Sequence, residues 1–177
     1  MPVTDYFAIL GVPASSEIDR ARLDAQYRSL QAQWHPDRFV TASEAERRQA
    51  LQQASLINDA YQMLKQPLRR AEHLLELKDT DAAVHQARKL EPAFLLHQLE
   101  QREELERLGQ RRDQAAFARL RRDTETELQL QWRDFAATVQ QQDWCSARLS
   151  LQKLQFLHKL QEELDHLEDR WLDTLDN

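Results

Sequence analysis

Apolar residues in this chain recur in steps of three and four. Leu23, Tyr27, Leu30 and Trp34 form one stripe, and Ala50, Ala54, Ile57, Tyr61 and Leu64 form a second. Such spacing gathers each set on one helical face, so the two stripes predict an antiparallel helical hairpin. Thr4 can cap a short first helix closed by Gly11 and Pro13. Ser16 with Asp19 predicts the start of the second helix, which should run to Trp34. Ser43, with Glu44 and Glu46 behind it, starts the third, which ends before Pro67; Leu68 to Leu75 make a short fourth segment.

Periodicity then lapses over residues 76–91. Lys78-Asp79-Thr80-Asp81 is the expected break between domains, with room for a helical turn or two over Ala82 to Leu90. It resumes at Pro92, a helix-start residue, and a helix from Pro92 to Leu108 with Gly109 near its end is expected. Two long segments follow, Gln114 to Gln141 and Asp143 to Leu175. Phe117, Leu120, Leu128, Trp132, Phe135 and Val139 line the first, and Leu157, Leu160, Leu164, Leu167, Trp171 and Leu175 line the second. Core packing explains both stripes, and the three segments predict an antiparallel three-helix bundle. The predicted fold is therefore all-α, with a helical hairpin domain over residues 1–75, a linker over 76–91 and a bundle over 92–177.

Composition supports that reading. With 2 Gly and 5 Pro among 177 residues, and no β-type alternating run, the chain reads as nearly all helix. Residues 1–75 balance nine acids with nine bases, so the whole net charge of −6 falls on the second half. An acidic surface argues against nucleic acid as the main partner. One cysteine, Cys145, rules out an internal disulfide and a Cys-only metal site. No apolar run is long enough to span a bilayer and the first residues lack signal or transit character, so a soluble cytoplasmic protein with no membrane partner is expected.

Candidate chemistry begins where the first stripe stops. Trp34-His35-Pro36-Asp37-Arg38-Phe39 lies between the hairpin helices. Pro36 lacks the N–H that another helical turn needs and pushes His35 toward an extended conformation, so His35 and Asp37 should project from an exposed connection. In this setting, after Tyr-x-x-Leu-x-x-x-Trp and behind Asp5-Tyr6-Phe7-Ala8-Ile9-Leu10-Gly11-Val12, the tripeptide resembles that of a J domain, the module that activates DnaK-type chaperone ATPases.

A second candidate is the helix from Pro92. Phe94, Leu105 and Leu108 gather on one side of it and account for the bundle core. Leu95, Leu96 and Leu99 fall on another side with Glu100 and Glu103. A helix apolar on two sides is either buried on both or keeps one for a partner, and periodicity leaves that choice open. Phe156 lies off the early core stripe of the last helix.

The string Phe94-Leu95-Leu96-x-Gln98-Leu99-Glu100-x-Arg102-Glu103-Glu104-Leu105 is similar to that of the HscB family, the J-type co-chaperones of iron-sulfur cluster biogenesis. Pro67-Leu68-x-Arg70-Ala71-Glu72-His73-Leu74-Leu75 before it and Leu154-x-Phe156-Leu157-x-Lys159-Leu160 after it extend the similarity over nearly the full length. The resemblance implies a J domain that engages the DnaK-type chaperone HscA and a C-terminal domain that binds the cluster scaffold IscU. Carried residue by residue, His35, Pro36 and Asp37, with Arg38 and Arg28, would serve the chaperone. Leu95, Leu96, Leu99, Glu100, Glu103 and Phe156 would contact the scaffold. It implies no catalysis by the chain itself, no cofactor and no metal.

Two departures stand out. The second helix offers only Arg20, Arg22 and Arg28 among Glu17, Asp19 and Asp24, where many J domains are Lys-rich, so electrostatic steering should be weak. Arg107 stands one turn after Glu103, where another acid is expected. Two rival readings are a J protein that recruits a different client and a di-metal bundle enzyme. The enzyme would need two inward Glu-x-x-His motifs, and Glu163-x-x-His166 is the single copy.

Overall fold

The computed structural model describes residues 3–78 and 90–173. The expected break over residues 78–81 lies outside them save for Lys78, which is helical, the added turn over 82–90 lies outside them save for Leu90, which is not, and the end of the last stripe at Leu175 lies outside them. The described residues are helical with no strand, and the chain divides into two compact units, residues 1–80 and 81–177.

In the first unit, helix α1 spans Tyr6–Leu10, α2 Arg20–Gln33, α3 Glu44–Lys65 and α4 Pro67–Lys78. Two caps differ from expectation. Asp5, not Thr4, caps α1 by accepting from the Ala8 N–H, and Asp19, not Ser16, caps α2 by accepting from Ala21 and Arg22. A carboxylate accepts more strongly than a hydroxyl at a helix N-terminus, where the dipole also favours its charge. Ser43 forms the full capping box with Glu46. The Ser43 hydroxyl at 2.7 Å and the Ser43 N–H at 2.8 Å both donate to Glu46 Oε2, and these bonds, the hydroxyl's first, hold the Glu46 carboxyl below its ordinary range. Gly11 closes α1 in the left-handed region at φ 62°, a conformation that glycine takes without strain.

Helix α3 is the centre of this unit and packs against α1, α2 and α4. Ala50, Ile57, Ala60 and Leu64 of α3 are buried, as are Leu23 of α2, Phe7 and Leu10 of α1, and Ala71, Leu74 and Leu75 of α4. His73 is buried with them, stacked on Phe7 and tilted against Tyr6. Its Nε2 accepts the Tyr6 N–H at 3.2 Å, tying the start of the chain to α4. Arg70 donates to the carbonyls of Ser16 and Leu64, and burial, with Arg20 nearby, pushes its guanidinium pKa down.

In the second unit, α5 spans Pro92–Arg111, α6 Gln114–Gln140 and α7 Trp144–Asp173. Helices α6 and α7 form the main pair and α5 lies against both. Helix α5 runs through Gly109 and ends when Arg112 turns left-handed at φ 54°, donating its N–H to the Leu108 carbonyl at 2.9 Å. The core holds Leu108, Phe117, Leu120, Leu160, Leu164 and Leu167 at one end, and Phe135, Leu151, Leu154 and Leu157 are buried further along. Arg121 of α6 pairs with Glu168 and Asp165 of α7, and the Glu168 hydrogen bond raises its pKa above the ordinary arginine value.

His158 of α7 stands edge-on to Trp132 of α6 at 6.0 Å. Burial pushes its pKa below the ordinary 6.5, against the opposing pull of Glu162. A histidine that is harder to protonate when folded contributes stability above its unfolded pKa, and that contribution fades as pH falls below it. Thermal melts at pH 7.5 and 5.5 are therefore expected to show a smaller acid destabilisation for His158→Phe than for the parent; an equal drop would remove His158 as a source.

Candidate functional site

Between α2 and α3 the chain makes a single 3-10 turn, Pro36–Phe39, instead of an open connection. Pro36 takes the first position of that turn, where its missing N–H has no partner to lose. His35 precedes it in the extended region at φ −62°, ψ 130°. The His35 Nδ1 accepts the Asp37 N–H at 3.3 Å, which puts the proton of the neutral ring on Nε2. Asp37 projects outward with its side chain 85% exposed, 3.5 Å from His35 Nδ1. Arg38 donates its own N–H to the His35 carbonyl and a guanidinium N–H to the Ala32 carbonyl at 3.2 Å, satisfying an orphan acceptor at the end of α2. Beneath the turn, Trp34 and Phe39 stack nearly parallel, 6° apart. The tip is thus braced from both sides while His35, Pro36 and Asp37 stay exposed.

Arg28 is exposed on α2. Arg20, read from the sequence as part of the same basic helix, stays exposed but engages its guanidinium across the hairpin. It pairs with Asp24 at 2.9 Å and donates to the Tyr61 hydroxyl and the Lys65 carbonyl.

On α5, Leu95, Leu96 and Leu99 are 44%, 57% and 53% exposed, and Glu100 and Glu103 beside them are exposed as well. Phe156 reaches this end of the bundle edge-on to Phe94, with ring centroids 6.1 Å apart, and Lys153 lies over the Phe94 ring. Arg107 bends back to pair with Glu104 at 3.0 Å and to donate to the Glu103 carbonyl, so its charge is engaged within α5.

Hydropathy marked Phe94, Leu105 and Leu108 as the inward side of α5 but not the two glutamines that lie among them. At about 100° per residue, Phe94, Gln98, Gln101, Leu105 and Leu108 share an arc of about 80°. Gln98 and Gln101 are each 5% exposed, buried between the apolar members of that arc. Gln98 donates to Gln101 at 2.7 Å, Gln101 donates to both oxygens of Glu127 on α6, and Glu127 also takes His97 Nε2 at 2.7 Å. Among the described residues, no group of three or more His, Cys, Asp and Glu side chains is placed to hold a metal ion, and Glu163 and His166 border an open cleft with Arg102, Glu106 and Arg170. No helix of the described residues is long and apolar enough to cross a membrane.

Comparison with known proteins follows the same division. The DnaJ domain family matches residues 5–73, and the HSCB C-terminal oligomerisation domain family matches residues 90–165. The co-chaperone protein HscB homolog of Vibrio cholerae serotype O1 is 41% identical over 173 residues, covering 95% of this chain and 99% of that protein. This chain belongs to the HscB co-chaperone family. The HscB co-chaperone of Proteus mirabilis is 40% identical over 170 residues, covering 96% and 98% of the two chains. The solved HscB chaperone of Vibrio cholerae superposes with a TM-score of 0.81 at 39% identity over 94% of this chain and 99% of that one. The all-α fold is thus the HscB fold, and the braced tip falls in the DnaJ part while the leucine ridge and Phe156 fall in the HscB part.

Proposed function

We propose that this protein is a J-type co-chaperone of iron-sulfur protein maturation, acting in the cytoplasm, which delivers the scaffold IscU to the DnaK-type chaperone HscA and stimulates its ATPase. The observation that carries this reading is the ridge of Leu95, Leu96 and Leu99, held outward beside Glu100 and Glu103 on a unit separate from the one that bears His35-Pro36-Asp37. An exposed apolar strip edged by carboxylates suits a protein partner with an apolar centre and a basic margin.

The two surfaces divide the work. Asp37 pairs with a chaperone arginine that links the nucleotide pocket to the substrate-binding half, and so biases the ATPase toward its hydrolysing state. His35 and Pro36 set the turn that presents Asp37, and Arg38 and Arg28 complete the contact. Leu95, Leu96, Leu99, Glu100, Glu103 and Phe156 hold the scaffold. Binding both partners on one chain makes their encounter intramolecular and raises the effective concentration of scaffold at the chaperone. A ridge of three leucines makes an interface below standard size, in keeping with an affinity of about micromolar and with release after handover. The chain itself makes and breaks no bonds.

Steady-state ATPase rates of HscA test the reading, with this protein and IscU added singly and together. The expected result is a joint stimulation well above the sum of the two separate ones. Simple additivity would sink the delivery role.

A further inference from the structure

Helix α5 is inverted over its first half. Ordinary surface helices turn leucines in and amides out, whereas here Gln98 and Gln101 are buried and Leu95, Leu96 and Leu99 are exposed. A roll of α5 about its own axis would exchange the two sets, and because burial of apolar surface has no preferred direction, bringing Leu95, Leu96 and Leu99 inward would offset the loss of Phe94, Leu105 and Leu108, which share the arc of the two glutamines. Little apolar anchoring resists it. Leu108 is the one buried leucine of α5 among the described residues and lies near the far end, with Leu105 partly buried beside it and Phe94 half-buried on Phe156.

What resists rotation is directional. Gln98 Nε2 donates to Gln101 Oε1 at 2.7 Å, Gln101 Nε2 donates to Glu127 at 3.3 and 3.4 Å, and His97 Nε2 meets the same carboxylate at 2.7 Å. His97 Nδ1 also stands 4.0 Å from Glu100, on the ridge side of α5. Glu127 therefore gathers hydrogen bonds from two positions of α5 four residues apart, which fixes both its rotation and its register against α6. A roll would carry the amides out to water but leave the Glu127 carboxylate facing leucines without its donors, and a carboxylate stripped of its hydrogen bonds against an apolar surface is costly.

We infer that Glu127, with Gln101 and His97, is a positioning residue that keeps the leucine ridge outward and so holds the docking surface in its binding-competent form. The consequence for affinity rests on the proposed function, whereas the orientation of the ridge does not.

Two readouts separate these claims. The first is thiol labelling of Leu96→Cys in a Cys145→Ser background, which reads exposure of the ridge with no partner present. Adding Glu127→Leu, which removes the carboxylate and offers an apolar surface, is expected to slow labelling at least about fivefold without lowering the melting temperature. Adding Glu127→Gln, which can still accept from Gln101, is expected to restore the rate to within about twofold. Gln101→Leu provides a second route should Glu127→Leu fail to fold, with the same slowing expected. Labelling as fast in Glu127→Leu and Gln101→Leu as in the parent would overturn the inference. The second readout is titration of purified IscU onto proteins that retain Leu96, for which Glu127→Leu is expected to weaken binding about tenfold. Slowed labelling with unchanged IscU affinity would uphold the positioning role and reject the ridge as the scaffold site.

Discussion

Replacing His35 with Gln is expected to abolish stimulation of the partner chaperone's ATPase while leaving helicity, melting temperature and scaffold binding as they are. The imidazole Nδ1 accepts the Asp37 N–H and so fixes the direction in which the carboxylate leaves the turn. A glutamine can offer an oxygen, but on a longer and freer side chain, so the turn loses its set geometry. The position is exposed, and exposed substitutions of this kind change stability by only about 0.5 kcal/mol. Circular dichroism and scaffold titration are therefore expected to match the parent while the chaperone assay falls to its unstimulated rate. Stimulation retained by the variant would refute the assignment of the tip.

The second large effect concerns the other unit. Leu96→Ser with Leu99→Ser is expected to weaken scaffold binding by roughly thirtyfold or more. Each leucine is more than half exposed in the isolated protein, so burial against a partner contributes about 1 to 3 kcal/mol per side chain, and each 1.4 kcal/mol is about tenfold in affinity. The two lie one turn apart on α5 and share neighbours, so their effects need not sum. Because both already face water, the fold loses no core packing, and the double variant is expected to melt with the parent. Unchanged affinity in a titration with purified scaffold would rule the ridge out. Basal stimulation of the chaperone in the absence of scaffold is expected to stay at the parent level, because the tip lies on the other unit.

Much of this architecture could be read from local pattern. The stripes of α2, α3, α6 and α7 are regular over several turns, and the capping box at Ser43 needs only residues three apart, so both were legible without tertiary information. The chemistry of Pro36 likewise fixed His35 in an extended conformation before any packing was known. Cap positions were harder where two acceptors stood close together. Thr4 and Asp5 compete at α1, as do Ser16 and Asp19 at α2, and the carboxylate won both times.

The features that escaped depend on partners far away in sequence. Hydropathy scores Gln98 and Gln101 as polar and gives no sign that they are buried, and only Glu127, 26 residues beyond Gln101, shows that they are satisfied in the interior. Arg20 read as a steering charge until Asp24, Tyr61 and the Lys65 carbonyl engaged it across the hairpin. Arg20 stays about half exposed but its charge is offset by Asp24, so α2 presents a still weaker field than the sequence suggested. Periodicity alone placed the leucine ridge on its own side of α5 but left open whether that side was buried as well or faced water. The polar seam supplies the reason that it faces water.

The stack of Trp34 on Phe39, together with the Arg38 clasp on the Ala32 carbonyl, has a mechanical consequence. A tip so welded cannot swivel independently of the helix behind it, and α2, 14 residues and about 21 Å long, is too stiff to absorb a push by bending. A force applied at Asp37 is therefore expected to pass into the hairpin as along a lever arm, so that under the proposed function the unit would reorient as one piece with a chaperone that changes shape beneath it.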